Sequence, residues 1–166
     1  MSPKALVALG GGPSPVINAS LAGVIERCRD YSAVTGLYAA WHGVEGILRE
    51  ELIDLDSQDR SELARLRHTP ASGAIGTCRY KLGDGQQEDF DRIIDVLQAH
   101  GIGYFFYIGG NDTMDTADKV SRLAHERGVA GRGLVPARSD ANEGRFNIAR
   151  AQAHGVIVRP VRRPFG

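Results

Sequence analysis

The stretch "YIGGNDTMDTADKV", residues 107–120, places two glycines, an amide, a carboxylate and a hydroxyl between a β-prone run and a helical pattern. The aromatic residues around its start, "YFFYI" at 104–108, predict a strand that is bounded by glycine on both sides. Within and after it, Ala117, Val120 and Ala124 recur at helical spacing, which predicts a helix. A strand, a glycine loop and a helix in this order are typical of one unit of a parallel sheet.

The beginning of the chain repeats this arrangement. The apolar run "KALVAL", residues 4–9, predicts a buried parallel strand that ends at the glycines of "GGGPSP". A helix is expected from Asn18 onward, because apolar residues follow at helical spacing. Asn18 and Ser20 are the candidates for its N-cap.

The other patterns alternate between strand and helix. They predict a strand over 33–41, an irregular connection with a short helical turn and a short strand over 43–56, a charged helix over 57–67 and an amphipathic helix in "EDFDRIIDVLQAHG". After residue 128, only "GVIV" at 155–158 predicts a strand. This alternation predicts an α/β fold with a mostly parallel sheet that is covered on both faces. Ligands of such sheets lie beyond the carboxyl ends of the strands, where both glycine loops fall.

Composition excludes several classes of protein. The chain of 166 residues has a formal net charge of zero, although residues 129–166 carry 7 basic and 2 acidic side chains. The arginines of this tail are scattered without aromatic interleaving, so nucleic-acid binding is not predicted. No apolar run approaches the roughly 20 residues of a membrane span, and a cytoplasmic location is expected. Cys28 and Cys78 lack a CxxC pattern, which predicts two buried thiols rather than a disulfide or a zinc site.

The residues alone leave two interpretations of each glycine loop. Bare backbone amides at the start of a helix suit phosphate, yet "GGGPSPVINAS" matches neither the Walker pattern nor GxGxxG and is also compatible with a structural turn. Asn111 or Asp112 is placed either to contact a ligand or to cap the helix that begins in its own loop. Arg79, in "GTCRY", is suited to bidentate phosphate binding or to a surface ion pair.

Three motifs taken together resemble a known family. The segments "GGPSPVINASLAGVI", "GTCRY" and "YIGGNDTMDTADKV", in this order and at these separations, closely resemble the amino-terminal half of the phosphofructokinase family. The likeness covers about residues 4–128. It implies a Rossmann-like three-layer sandwich, a part of the phosphofructokinase fold. It also implies the glycolytic transfer of a phosphoryl group from ATP or diphosphate to the 1-hydroxyl of fructose 6-phosphate, with Mg²⁺ as the cofactor.

The resemblance also implies the site residues. The backbone of both loops would receive the phosphates of the donor, and the expected donor-binding residues are Gly11, Gly12, Arg79, Tyr80, Gly110, Asn111, Asp112 and Thr113. Asp112 is expected to act in catalysis by selecting the donor, since family members that use ATP usually have glycine there. An acidic residue occupies the space of the ATP α-phosphate and repels it, so the chain resembles the diphosphate (pyrophosphate)-dependent type. Asn111 stands where many members have a magnesium-binding aspartate, and it is the expected metal contact.

Two domains are expected from the extent of the resemblance. Residues 1–128 form the phosphofructokinase-like domain, and residues 129–166 form an atypical basic tail, interpreted as truncated or frame-shifted. No "PKTIDND"-like segment follows residue 128, and in the family its aspartate is the general base. We therefore expect this chain to lack the base and most of the sugar site. A homo-oligomer is expected, because the family completes that site with a neighbouring subunit and a sheet of about four strands leaves an open edge.

Two rival hypotheses remain at this point. One is a non-catalytic fragment that keeps the fold and binds phosphate without turnover. The other is a Rossmann-like nucleotide-binding protein of another class, which would need an acidic residue about 20 positions after the first glycine loop. Asp30 stands near that distance, but the pattern places it at the end of the first helix rather than at the end of the second strand.

Overall fold

The chain forms a three-layer α/β structure in a computed structural model that describes residues 3–14, 16–68, 74–83 and 85–128 and the backbone of 133–138. Its elements are β1 (Lys4–Leu9), α1 (Ile17–Arg29), β2 (Leu37–Ala40), α2 (Val44–Arg49), β3 (Leu52–Asp54), α3 (Arg60–Arg65), α4 (Gln87–Ala99), β4 (Ile102–Gly109), α5 (Asn111–Glu126) and β5 (Gly133–Arg138). None of the helices in these ranges is long and apolar enough to cross a membrane.

The described strands form one sheet in the order β3-β2-β1-β4-β5. Strands β2, β1, β4 and β5 run parallel to one another, and β3 lies antiparallel to β2 at one edge. This arrangement confirms the predicted α/β class with a mostly parallel sheet. Because β1 and β4 are parallel neighbours, the glycine loops that follow them emerge side by side at the same edge.

Helices cover the two faces of the sheet and bury one apolar cluster on each. Leu6 and Ala8 of β1 belong to the cluster that α2, α4 and α5 cover, whereas Ala5, Val7 and Leu9 belong to the cluster that α1 covers. From Ala5 to Leu9, strand β1 therefore has only apolar residues, as a central strand buried on both faces requires. This confirms the three-layer arrangement that the resemblance implied.

Strand β5 was not predicted from the sequence. It pairs in parallel with β4, with Tyr104 opposite Gly133 and Tyr107 opposite Pro136. Glycine and proline weaken the pattern of "GLVPAR", and in a sheet proline is confined to edge strands, strand starts and bulges. The sheet thus has five described strands rather than about four. The strand predicted at 155–158 lies outside the described residues.

The N-cap prediction for the first helix is wrong. Val16 occupies the cap position of α1. Asn18 lies in the first turn with no exposed surface, and its Oδ1 accepts a hydrogen bond of 2.9 Å from the amide of Ala74. Its side chain therefore joins α1 to a distant segment, a tertiary role that the local pattern did not reveal. Ser20 also lies inside the helix.

The boundaries of two other elements are shorter than predicted. The strand expected over 33–41 is confined to Leu37–Ala40, and the charged helix expected over 57–67 spans Arg60–Arg65. The helix begins at Arg60 because Asp59 is its N-cap, with a side chain that accepts hydrogen bonds from the amides of Ser61 and Glu62. The helical turn and short strand expected over 43–56 are present as α2 and β3.

Both cysteines are free and buried, as predicted. Burial, helped by the nearby Asp56 carboxylate, raises the pKa of the Cys28 thiol to about 12. A thiol that is protonated at neutral pH is a poor nucleophile and a poor metal ligand, so Cys28 acts as a core residue.

Candidate functional site

The two glycine loops touch at the carboxyl edge of β1 and β4. We call residues 10–12 the first loop and residues 109–113 the second loop. The amide of Gly10 donates a 2.8 Å hydrogen bond to the carbonyl of Ile108. A methyl group added at Gly10 would lie 2.5 Å from Oγ1 of Thr113 and 2.9 Å from the hydroxyl oxygen of Tyr107. Glycine is needed here because the loops approach each other more closely than a side chain permits.

A third segment, residues 78–82 or "CRYKL", lies against the first loop. Cys78 forms a parallel bridge with Gly10, and its carbonyl accepts a 2.8 Å hydrogen bond from the amide of Gly11. The exposure of its side chains alternates: Cys78 and Leu82 are buried, whereas Arg79 and Lys81 are exposed. An extended chain points alternate side chains to opposite sides, so Arg79 and Lys81 share the side that faces away from the core.

This alternation brings Arg79 to the first loop. The Nη2 atom of Arg79 lies 3.1 Å from the position that a β-carbon on Gly12 would take. A guanidinium offers several N–H donors in a planar fork that matches a phosphate. The structure thus brings together Gly11, Gly12 and Arg79, three of the residues expected to bind the donor.

The helices behind both loops begin without a side-chain cap. Among the described residues, no side chain caps α1 or α5, whose N-caps are Val16 and Gly110. Asn111 and Asp112 lie inside the first turn of α5, so the alternative interpretation of either residue as its N-cap is excluded. The amides of an uncapped first turn are available to an anion, and the helix adds about half a positive charge there.

Thr113 and Tyr80 do not turn their hydroxyls to the open side of the loops. Thr113 is 4% exposed and packs beneath Gly10 and Gly109. The Tyr80 hydroxyl donates a 2.5 Å hydrogen bond to Oδ2 of Asp89 and accepts one of 2.7 Å from Nε2 of Gln86. The hydrogen bond to Asp89, followed by burial, raises the pKa of Tyr80. Their contacts with a donor therefore stay predictions, while their structural roles are defined.

Replacing Tyr80 with phenylalanine is expected to lower the free energy of unfolding by about 1 kcal/mol, because Asp89 and Gln86 lose a shared hydrogen-bond partner. Urea unfolding followed by circular dichroism measures this change. Tyr31→Phe is the matched control, since Tyr31 is 39% exposed. Equal stability of the Tyr80 and Tyr31 variants would contradict the assigned role.

An ion pair that was not predicted from the sequence joins the CRYKL segment to the second loop. Nζ of Lys81 lies 3.1 Å from Oδ1 of Asp112, and both side chains are about two-thirds exposed, at 70% and 66%. The signal was the position of Lys81 two residues after Arg79, which puts both cations on one side of an extended segment. The partner on α5 is distant in sequence and was not predictable from that spacing.

The second loop also has oxygen atoms that suit magnesium. Asn111 and Asp112 are adjacent and exposed in the first turn of α5. Magnesium is usually bound by one or two protein oxygens together with substrate phosphates, so a dedicated cage is not required. Within the described ranges, no group of three or more His, Cys, Asp or Glu side chains forms such a cage. The Asn111 amide oxygen therefore fits a cation that arrives with the donor, whereas the Asp112 carboxylate is paired with Lys81.

Comparisons with known proteins agree on one family. The family model described as Phosphofructokinase matches residues 4–142. The "Pyrophosphate--fructose 6-phosphate 1-phosphotransferase" proteins of Halomonas elongata and Methylococcus capsulatus are each 48% identical to this chain, over 128 and 129 residues. Each match covers 75% of this chain and 30% of the relative.

A solved structure gives the same result. The pyrophosphate-dependent phosphofructokinase of Nitrosospira multiformis superposes with a TM-score of 0.72 and 44% identity, covering 77% of this chain and 31% of that chain. This chain therefore spans less than a third of the length of these relatives.

The comparisons also refine the extent of the resemblance. The likeness recognised from the motifs covers about residues 4–128, but the family match continues to residue 142 and includes β5. The expectation that nothing after residue 128 resembles the family is wrong for this stretch. The division into domains at 128 and 129 stays a prediction. By its sequence motifs, its fold and these matches, the chain belongs to the phosphofructokinase family.

Proposed function

We propose that this chain forms the donor side of a diphosphate-dependent 6-phosphofructokinase and binds diphosphate across its two glycine loops. The observation that carries the proposal is the convergence of Gly12, Arg79 and the uncapped first turn of α5 at one edge of the sheet. Backbone amides, a helix N-terminus and a guanidinium are all donors that suit a phosphate.

We propose that this donor site serves phosphoryl transfer from diphosphate to the 1-hydroxyl of fructose 6-phosphate. The names of the relatives from Halomonas and Methylococcus support this choice of donor and acceptor. Catalysis of phosphoryl transfer relies mainly on positioning and on electrostatic stabilisation of the transferred group. The loops described above would position the donor, whereas the general base and the sugar site are expected to be missing. We therefore propose that this chain alone binds the donor with little turnover.

Magnesium is the proposed cofactor, and Asn111 would contact it. When bound, the cation neutralises part of the charge on the diphosphate. Because an amide oxygen is a weaker ligand than a carboxylate for this hard cation, the phosphates would supply most of the coordination. A homo-oligomer is also proposed, as the resemblance implies, and the cytoplasmic location expected from the sequence is proposed with it.

The rival class of dinucleotide-binding proteins is not favoured. Asp30, the acidic residue at nearly the required distance, is the C-cap of α1. A ribose-binding acid belongs at the end of β2, and Trp41 follows that strand instead.

Asp112 is proposed to select diphosphate over ATP. Its carboxylate extends from the first turn of α5. Because ATP is longer than diphosphate, its α-phosphate would come close to this negative charge. Two unit charges 4 Å apart repel by about 4 kcal/mol at an effective dielectric constant near 20, so even a screened fraction of this energy changes donor choice.

The Asp112→Asn variant is therefore expected to shift the ratio of ATP affinity to diphosphate affinity about tenfold toward ATP. Isothermal titration calorimetry with each donor and magnesium measures the ratio. Asp115→Asn is the matched control, because Asp115 lies on the same helix and is 60% exposed. An unchanged ratio in the Asp112 variant would contradict the selective role.

A further inference from the structure

A carboxylate in an anion-binding loop creates an electrostatic conflict, and the structure places a cation where it resolves that conflict. We infer that Lys81 is a specificity-determining residue of the donor site: its ammonium group compensates Asp112 and thereby lets diphosphate bind beside an acidic residue. This inference rests on the proposed function of the two glycine loops.

The ion pair between Lys81 and Asp112 puts a cation directly against the carboxylate of the second loop. Nζ of Lys81 lies 3.1 Å from Oδ1 of Asp112, so the ammonium group and the carboxylate are in direct contact. The two residues belong to different elements, the CRYKL segment and α5. Their pair therefore joins the CRYKL segment, which lies beside the first loop, to the first turn of α5.

Contacts on both sides of the CRYKL segment hold Lys81 in this position. The hydrogen bond from the amide of Gly11 to the carbonyl of Cys78 fixes the segment to the first loop. On its other side, the Tyr80 hydroxyl is held by Asp89. With Tyr80 turned toward α4, Arg79 and Lys81 point to the opposite side, and each meets one of the two loops.

The charge and the small size of diphosphate explain why a cation is needed beside Asp112. Diphosphate is compact and highly charged, so an uncompensated carboxylate at its site would strongly weaken its binding. Lys81 offsets that charge and has further N–H donors that remain available to a phosphate oxygen. The carboxylate still occupies space and repels a nucleotide that extends past the ammonium group. Together, the pair would admit the small donor and exclude the large one.

Folding stability does not account for the pair. Ion pairs between side chains this exposed contribute little to the stability of proteins. The Lys81→Met variant is therefore expected to unfold at the same temperature as the unmodified chain, which leaves ligand affinity as the property that changes.

The test is a double-mutant cycle on diphosphate affinity, measured by isothermal titration calorimetry with sodium diphosphate and magnesium chloride on the full 166-residue chain. Lys81→Met is expected to weaken binding about tenfold when Asp112 is present and only about twofold in the Asp112→Asn background. Lys81→Arg, which keeps the positive charge, is expected to stay within about twofold of the unmodified chain.

Arg122→Met is the matched control for Lys81→Met. Arg122 is an exposed cation of α5 that pairs with Asp118, away from the loops. It should leave diphosphate affinity unchanged. Equal affinities of the Lys81→Met variant and the unmodified chain would overturn the inference, as would an equal loss in both Asp112 backgrounds. If the unmodified chain bound no diphosphate, the proposed function would fail together with the inference.

Discussion

Replacing Gly109 with alanine is expected to lower the free energy of unfolding by about 3 kcal/mol, the upper end of the usual cost of overpacking. The added methyl group would lie 2.6 Å from the carbonyl oxygen of Gly10 and would overlap the side chain of Thr113. Neither neighbour can move freely, since one is backbone and the other is 4% exposed. The loops would have to separate, and the hydrogen bond from Gly10 to Ile108 would weaken.

Gly110→Ala is the matched control, one residue further along the same loop. No described atom lies within 4 Å of the position that its methyl group would take, and its φ of −92° and ψ of −158° suit any residue. Its stability is expected to stay within about 0.5 kcal/mol of the unmodified chain. Urea unfolding of both variants measures the difference. Equal stability of the two variants would show that the loops do not approach each other as described.

The second large effect is expected from Arg79→Ala, which should weaken diphosphate binding about 30-fold. Hydrogen bonds to charged groups contribute about 1.5–3 kcal/mol, and the guanidinium beside Gly12 is placed to form them with a phosphate. Arg79→Lys should recover only part of the affinity, because an ammonium group keeps the charge but not the planar fork. Calorimetric titration with diphosphate and magnesium measures both variants.

Arg92→Ala is the control for the loss of charge, since Arg92 pairs with Glu50 on the side of the sheet that α2 and α4 cover. Its diphosphate affinity is expected to match that of the unmodified chain. If the Arg79 and Arg92 variants bound diphosphate equally well, Arg79 would have no part in the donor site.

The architecture was largely predictable because its signals are local. The apolar run of β1 and the helical spacing of Ala117, Val120 and Ala124 each specify an element without reference to the rest of the chain. Strand β5 was missed because its glycine and proline interrupt the β pattern, and its pairing with β4 overrides that local weakness. Pairing partners that are distant in sequence leave no periodic signal.

The candidate site was predictable in its glycines and in Arg79 but not in its tertiary contacts. Asn18 carries the sequence signal of an N-cap, yet it bonds the amide of Ala74 across the structure. Lys81 was overlooked because its importance depends on Asp112, which only the fold brings within 3.1 Å. Residue type and spacing identify a loop that suits phosphate, whereas the folded chain decides which charges meet there.

The most direct test of the central claim is the affinity of the unmodified chain for diphosphate in the presence of magnesium, measured by calorimetry beside the same titration with ATP. We expect saturable binding of diphosphate at one site per chain and weaker binding of ATP. Failure of diphosphate to bind, or tighter binding of ATP, would contradict the assignment of the two glycine loops to a diphosphate-selective donor site.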